Sequence, residues 1–176
     1  ILDLHRTVSV LLPHDTGKDW QFFRKAAEEV FWPRVDQEYR DELGGIVEGV
    51  VQQGGKLDIW DLVVMNAATE LAPYYTRWYD QQQGVKTSSS RSAPEHCSAF
   101  VATGGYTRDG RVVIGHNAWT DYAVGARWNI IFDLNPAKGH HILMDGLPGV
   151  IHSAYDFGLN SAGILITETT ISGFRG

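Results

Sequence analysis

Residues 81–95 carry almost nothing that could pack into a core: Gln, Ser, Lys, Arg and Pro dominate, and Val85 and Ala93 supply most of its apolar surface. Such a stretch gains too little burial to offset the entropy of ordering it, so it reads as a linker between two differently patterned parts. Before it, apolar residues recur at intervals of three and four. After it, they come in short runs bounded by turn signals. Helices followed by strands, rather than alternating with them, predict an α+β arrangement with mostly antiparallel sheet.

In the first part, Trp20, Phe23, Ala27, Val30 and Phe31 form one stripe until Pro33, which predicts a helix ending near Trp32. A second helix is expected over residues 33–53, closing at Gly54-Gly55, with Val35, Tyr39, Leu43, Ile46, Val47 and Val50 as its apolar face. Gly44, Gly45 and Gly49 weaken it. Asp58 is a good N-cap for a third helix, with Asp61 in its first turn and Ile59, Leu62, Val63 and Asn66 following before Pro73. Tyr74, Tyr75, Trp78 and Tyr79 suit a short fourth. Beyond the linker, residues 98–103 and 111–114 flank Arg108-Asp109-Gly110 as a hairpin. Residues 128–134 and 140–145 flank Asn135-Pro136-Ala137-Lys138-Gly139, and residues 157–159 and 164–171 flank Asn160-Ser161-Ala162-Gly163. No repeat of 20 to 50 residues is evident.

The net charge of −6 argues against nucleic acid or an anionic membrane as the main partner, because both need clustered Lys and Arg to displace counterions. No apolar run approaches the roughly 18 residues of a spanning helix. His140 and His141 are adjacent, so on a strand they point to opposite faces, and no HExxH or CxxC spacing occurs. Neither a metal nor a cofactor is expected. Gly44-Gly45 and Gly104-Gly105 precede no Lys-Ser/Thr and form no phosphate loop. The chain begins at Ile1 rather than Met, which is compatible with a removed signal peptide and leaves cytoplasmic and secreted or periplasmic locations open.

One cysteine, Cys97, remains to be explained. A lone cysteine is more often an inert buried residue than a nucleophile. Cys97, however, stands where the linker meets the small and apolar run Ser98-Ala99-Phe100-Val101-Ala102. Cleavage of the bond between His96 and Cys97 would put a thiol and an α-amine on one residue. An α-amine has an ordinary pKa of about 7.7 to 8.0, so near neutral pH it can accept the thiol proton. The same thiol could make the cut, attacking the His96 carbonyl by an N-to-S acyl shift.

The strings Cys97-Ser98-Ala99-Phe100, Gly115-His116-Asn117-Ala118-Trp119-Thr120-Asp121-Tyr122, Leu147-Pro148-Gly149 and Gly158-Leu159-Asn160-Ser161-Ala162-Gly163, in this order and spacing, resemble the isopenicillin N acyltransferase and phospholipase B-like group of N-terminal-nucleophile hydrolases. Glu42-Leu43-Gly44-Gly45-Ile46 and Leu57-Asp58-Ile59-Trp60-Asp61-Leu62 to Asn66 extend the resemblance, which covers about residues 36–170. It implies an αββα sandwich made as a precursor, with residues 1–96 as a helical small chain and residues 97–176 as the start of the large chain. Cys97 would be the nucleophile. The related bile salt and penicillin V acylases carry Gly-Arg-Asn-x-Asp beside the cysteine. Here His116 stands at the Arg position and Trp119 at the Asp position, which leaves His116 a catalytic candidate and Trp119 and Asn117 substrate-binding candidates. The strand after Gly158-Leu159-Asn160 supplies an oxyanion donor in the acylases, and the corresponding residue is Thr170. Family members continue past residue 176, so the large chain is expected to be incomplete.

The function so implied is an autoprocessing cysteine hydrolase or acyltransferase that cleaves a linear amide through a thioester on Cys97. The substrate expected is a small acyl amide or lipid-like molecule, with the two processed chains staying associated and homo-oligomerisation open. The alternatives are phospholipase B-like hydrolysis of an ester or lipid amide, and a non-catalytic fragment in which Cys97 is a buried structural thiol.

Overall fold

A computed structural model describes residues 1–85 and 97–169. They form two units, one holding the helices of the first part together with Pro148–His152, the other holding the strands.

In the helical unit, α1 (Leu2–Thr16) closes on Gly17, whose φ of 70° lets its N–H reach back to the Pro13 carbonyl. The unit continues through α2 (Trp20–Ala26), α3 (Gln37–Gln52), α4 (Ile59–Asn66), α5 (Ala68–Glu70) and α6 (Thr76–Gln82). Leu4, Phe23, Leu62, Val64 and Leu71 are its most deeply buried side chains. The stripe after Trp20 is helical as expected, but Ala27–Phe31 widens into a π turn and Trp32–Arg34 tightens into a 3₁₀ turn. Pro33 sits in that 3₁₀ turn, and Asp36 is extended at ψ 154°, so the next helix starts at Gln37 rather than at residue 33. Arg40 ties the junction, donating from Nε to the Val35 carbonyl and from Nη2 to the Trp32 carbonyl, both at 2.8 Å. Pro73, by contrast, does not end its helical path: it is carried in a second π turn, Leu71–Tyr75, which runs directly into α6.

Asp58 caps α4 as its chemistry demands, accepting from the Trp60 and Asp61 N–H groups while the Asp61 carboxylate accepts from the Asp58 N–H. Arg24 bridges Asp58 and Asp61, and the Trp20 indole donates to Asp61 at 2.9 Å. The Arg24 guanidinium, helped by the backbone donors and against the opposing effect of burial, holds the Asp58 carboxyl below the ordinary carboxylate range. A carboxyl depressed by folding stabilises the folded state above its unfolded pKa of about 3.9, and loses that contribution as pH falls through the lower folded value. Because Asp58 is half exposed, its own share is under about 1 kcal/mol. Arg24→Ala, which also strands the buried Asp61, is expected to cost about 2–3 kcal/mol at neutral pH and to flatten the fall in stability below about pH 4. Urea midpoints from pH 7 to pH 3 measure both effects.

The five-residue strap Pro148–His152 is held by Asn66 at the end of α4. The Asn66 amide donates to the Gly149 carbonyl at 2.9 Å, and its oxygen accepts from the Ile151 N–H at 2.8 Å. Gly149 has φ 87°, and a Cβ there would press on Ile1 and Leu62. Pro148-Gly149 and Asn66, far apart in sequence, thus belong to one packing motif.

In the strand unit, β1 (Ser98–Gly104) pairs antiparallel with β2 (Gly110–Asn117). A short helix α7 (Tyr122–Gly125) precedes a four-stranded antiparallel meander of β3 (Ile130–Leu134), β4 (Ile142–Gly146), β5 (Phe157–Asn160) and β6 (Leu165–Thr167). The architecture is α+β, helices followed by antiparallel sheet. Strand β2 is longer than the expected 111–114, and β6 ends at Thr167, short of the expected 171. The meander is buried only along Met144, Asp145 and Gly146 among its described residues, while apolar side chains on both faces stay exposed, Ile131 at 57% and Ile166 at 65%. Among the described residues no helix is long and apolar enough to cross a membrane.

Candidate functional site

Cys97 directly precedes β1, and its half-buried thiol is free. Its sulfur accepts the backbone N–H of Trp119 at 3.3 Å. The hairpin register sets what else it meets: Ser98 lies opposite Asn117, and Ala99 opposite His116. Side chains alternate along a strand, so Cys97, Ala99 and His116 share one face, and Ser98 and Asn117 the other. Cys97 and His116 are diagonal neighbours, a relation that spans roughly 7–8 Å between backbones. His116 Nε2 is buried and has no hydrogen-bond partner among the described residues. A buried polar nitrogen left in that state costs about 1–3 kcal/mol, which makes His116 a candidate for contact with a bound group.

The other expected site residues separate. Asn117 is turned away from Cys97, its amide donating to Ser98 Oγ at 3.4 Å. Trp119 is 64% exposed and reaches Cys97 through its backbone. His96 and Thr170 lie outside the described residues. Gly115 is the seat of the Phe100 ring, where a Cβ would come within 2.2 Å of the ring, which explains a glycine beside His116. Asp121 caps α7, accepting the Ala123 N–H at 2.7 Å. Asn160, in the string Gly158-Leu159-Asn160-Ser161-Ala162-Gly163, closes the β5–β6 turn by accepting the Ala162 and Ile164 N–H groups, each at 3.0 Å.

After this hairpin, the side chains of Thr120 and Tyr155 and those of Ser153 and Asp145 are joined in pairs outside the expected catalytic and binding residues. The Tyr155 phenol bonds to the Thr120 side chain and donates to the Trp128 carbonyl at 3.5 Å. Burial, and then the charge of Asp145, push that phenol above its ordinary pKa, so it remains a donor. Ser153 Oγ accepts the Phe157 N–H at 2.8 Å and donates to the buried Asp145 carboxylate. Tyr155 thus combines a large aromatic body with a polar end that does the bonding.

No group of three or more His, Cys, Asp or Glu among the described residues could hold a metal. His141 pairs instead with Asp133. An open depression of about 680 Å³ is lined by Phe100, Ala102, Tyr106 and Val113, on the face of the hairpin opposite Cys97.

The phospholipase B family profile matches residues 16–175. An uncharacterized protein of Archaeoglobus fulgidus is 27% identical over 140 residues, which cover 75% of this chain and 21% of that protein. Putative phospholipase B-like 1 of Caenorhabditis elegans is 26% identical over 88% of this chain and 27% of its own length, and phospholipase B-like protein C of Dictyostelium discoideum is 28% identical over 65% and 21%. The chain thus spans between about a fifth and just over a quarter of the length of these relatives. No solved structure matches it significantly.

Proposed function

The chain belongs to the phospholipase B family, and from that premise we propose that it carries the nucleophile of an autoprocessing cysteine hydrolase of the N-terminal-nucleophile type, acting on a linear amide. The observation that carries the reading is the joint placement at the start of β1: a free thiol that accepts a backbone N–H, with a buried histidine nitrogen, unpartnered among the described residues, on the same face.

In the proposed reaction, the peptide bond between His96 and Cys97 is first cut by attack of the thiol on the His96 carbonyl. The acyl group passes from nitrogen to sulfur, and water hydrolyses the resulting thioester. The freed α-amine of Cys97 then takes the thiol proton as sulfur attacks the amide carbonyl of a substrate. Thr170 would stabilise the tetrahedral oxyanion, a role worth about 10²- to 10³-fold in rate where one donor has been removed. His116 offers the polar contact on the substrate side, and Trp119 an exposed aromatic wall. Collapse expels the amine with the proton, leaving a thioester that water attacks; an attacking amine would make the reaction a transfer.

Two features support the sandwich that this reading implies, with residues 1–96 as small chain and residues 97–176 opening the large one. The meander carries exposed apolar residues on both faces, the pattern of a sheet meant to be covered on both. Helices precede antiparallel strands in chain order. The second reading is hydrolysis of an ester or lipid amide at the same thiol, favoured by relatives that are named phospholipase B-like. Iodoacetamide labelling tests the chemistry common to both. Stoichiometric alkylation of Cys97 in processed protein is expected to abolish turnover across a panel of acyl amides and esters. Retained turnover of every substrate in that panel would refute the reading, and the substrate lost on labelling decides between amide and ester.

A further inference from the structure

An N–H on a sulfur at 3.3 Å is a weak bond, and Trp119 lies in a segment whose only regular structure is the four-residue α7. We propose that Tyr155 is a positioning residue for Cys97, its phenol fixing the segment from Thr120 to Trp128 so that the neighbouring Trp119 N–H stays on the sulfur; this rests on Cys97 being the nucleophile.

The phenol bonds at both ends of that segment, to the Thr120 side chain before α7 and to the Trp128 carbonyl after it. Thr120 is further seated by its methyl group on the bare backbone of Gly125, where a Cβ would come within 2.4 Å. Tyr155 is itself fixed from both sides. Asp156 takes φ 60°, a left-handed conformation that a non-glycine residue holds only when its surroundings impose it, and its carbonyl accepts the Glu168 N–H at 3.3 Å. The chain before and after it is tied by Ser153, which joins the Phe157 N–H to the Asp145 carboxylate. The buried carboxylate thus anchors the turn, the turn aims the phenol, and the phenol closes the segment that ends on the thiol. Misplacing a reacting atom by about 1 Å can cost a factor of 10² in rate, so such a chain of supports has a catalytic use.

Amide hydrogen exchange in the intact protein tests this. Tyr155→Phe and Thr120→Val each remove one hydroxyl, and both are expected to speed exchange at Trp119 at least tenfold while the Met144 amide in β4 exchanges at the wild-type rate. Thr120→Ser, which keeps the hydroxyl but loses the methyl seat, is expected to exchange at Trp119 more slowly than Thr120→Val, and Cys97→Ala, which removes the acceptor, to reproduce the rise. Unchanged Trp119 exchange in Tyr155→Phe and Thr120→Val, no rise in Cys97→Ala, or an equal rise at Met144 would overturn the proposal. The nucleophile reading fails separately, by turnover surviving alkylation of Cys97, and the exchange result is independent of that outcome.

Discussion

Cys97→Ala is expected to abolish turnover and to leave the chain uncut at residue 97. A cysteine that attacks the carbonyl has no substitute in an alanine methyl group, and removing the nucleophile of a comparable hydrolase machinery costs on the order of 10⁶ in kcat. The same change is expected to be mild for stability. The thiol is only half-buried, stands at the end of β1, and makes one weak bond from the Trp119 N–H. Truncating it is expected to cost about 1 kcal/mol or less. A large loss of function without loss of fold separates a catalytic thiol from the structural alternative. If Cys97 were a packing residue, stability would fall and any turnover would persist in proportion to the folded fraction. Urea denaturation and turnover of an acyl amide panel, measured on the same preparation, give both numbers.

His116→Phe is expected to move activity and stability in opposite directions. His116 Nε2 is buried without a partner among the described residues, so the wild type bears a desolvation cost of about 1–3 kcal/mol that an apolar ring of similar shape does not incur. If that nitrogen serves a substrate or the freed α-amine, its loss should cut turnover by about 10²- to 10³-fold, the range for a lost polar contact in the transition state. The variant should therefore unfold at equal or higher urea concentration while losing most of its activity. Full activity in a stabilised His116→Phe would remove His116 from the site. Reduced stability would mean that the nitrogen has a structural partner in the folded protein.

The parts of the fold legible in the sequence are those set by short-range chemistry. Asp58 and Asp61 announce the start of α4 because a cap and its reciprocal carboxylate act within four residues. The hairpin around Arg108-Asp109-Gly110 follows from a turn that needs Gly110 at φ 74°. Pro33 does mark the end of the first helical path, which closes in a 3₁₀ turn before Val35 and Asp36 extend, whereas Pro73 is carried in a π turn that runs on into α6. Within the site, the motif strings single out Cys97 and His116, and the alternation of β1 and β2 then puts them on one face. The support from Tyr155 is not legible, since it depends on Thr120, Trp128 and Asp145 meeting through loops whose paths no periodicity encodes. Asn117 shows the reverse: a motif residue next to His116 in sequence, yet on the opposite face by the same period of two.

Everything in the functional account begins with a new terminus at Cys97, so mass spectrometry of the denatured protein tests it most directly. Wild-type protein is expected to separate into two polypeptides, the second beginning at Cys97, and Cys97→Ala to stay as one. Wild-type protein that remains a single chain, or a Cys97→Ala variant that is cut at the same bond, would contradict it.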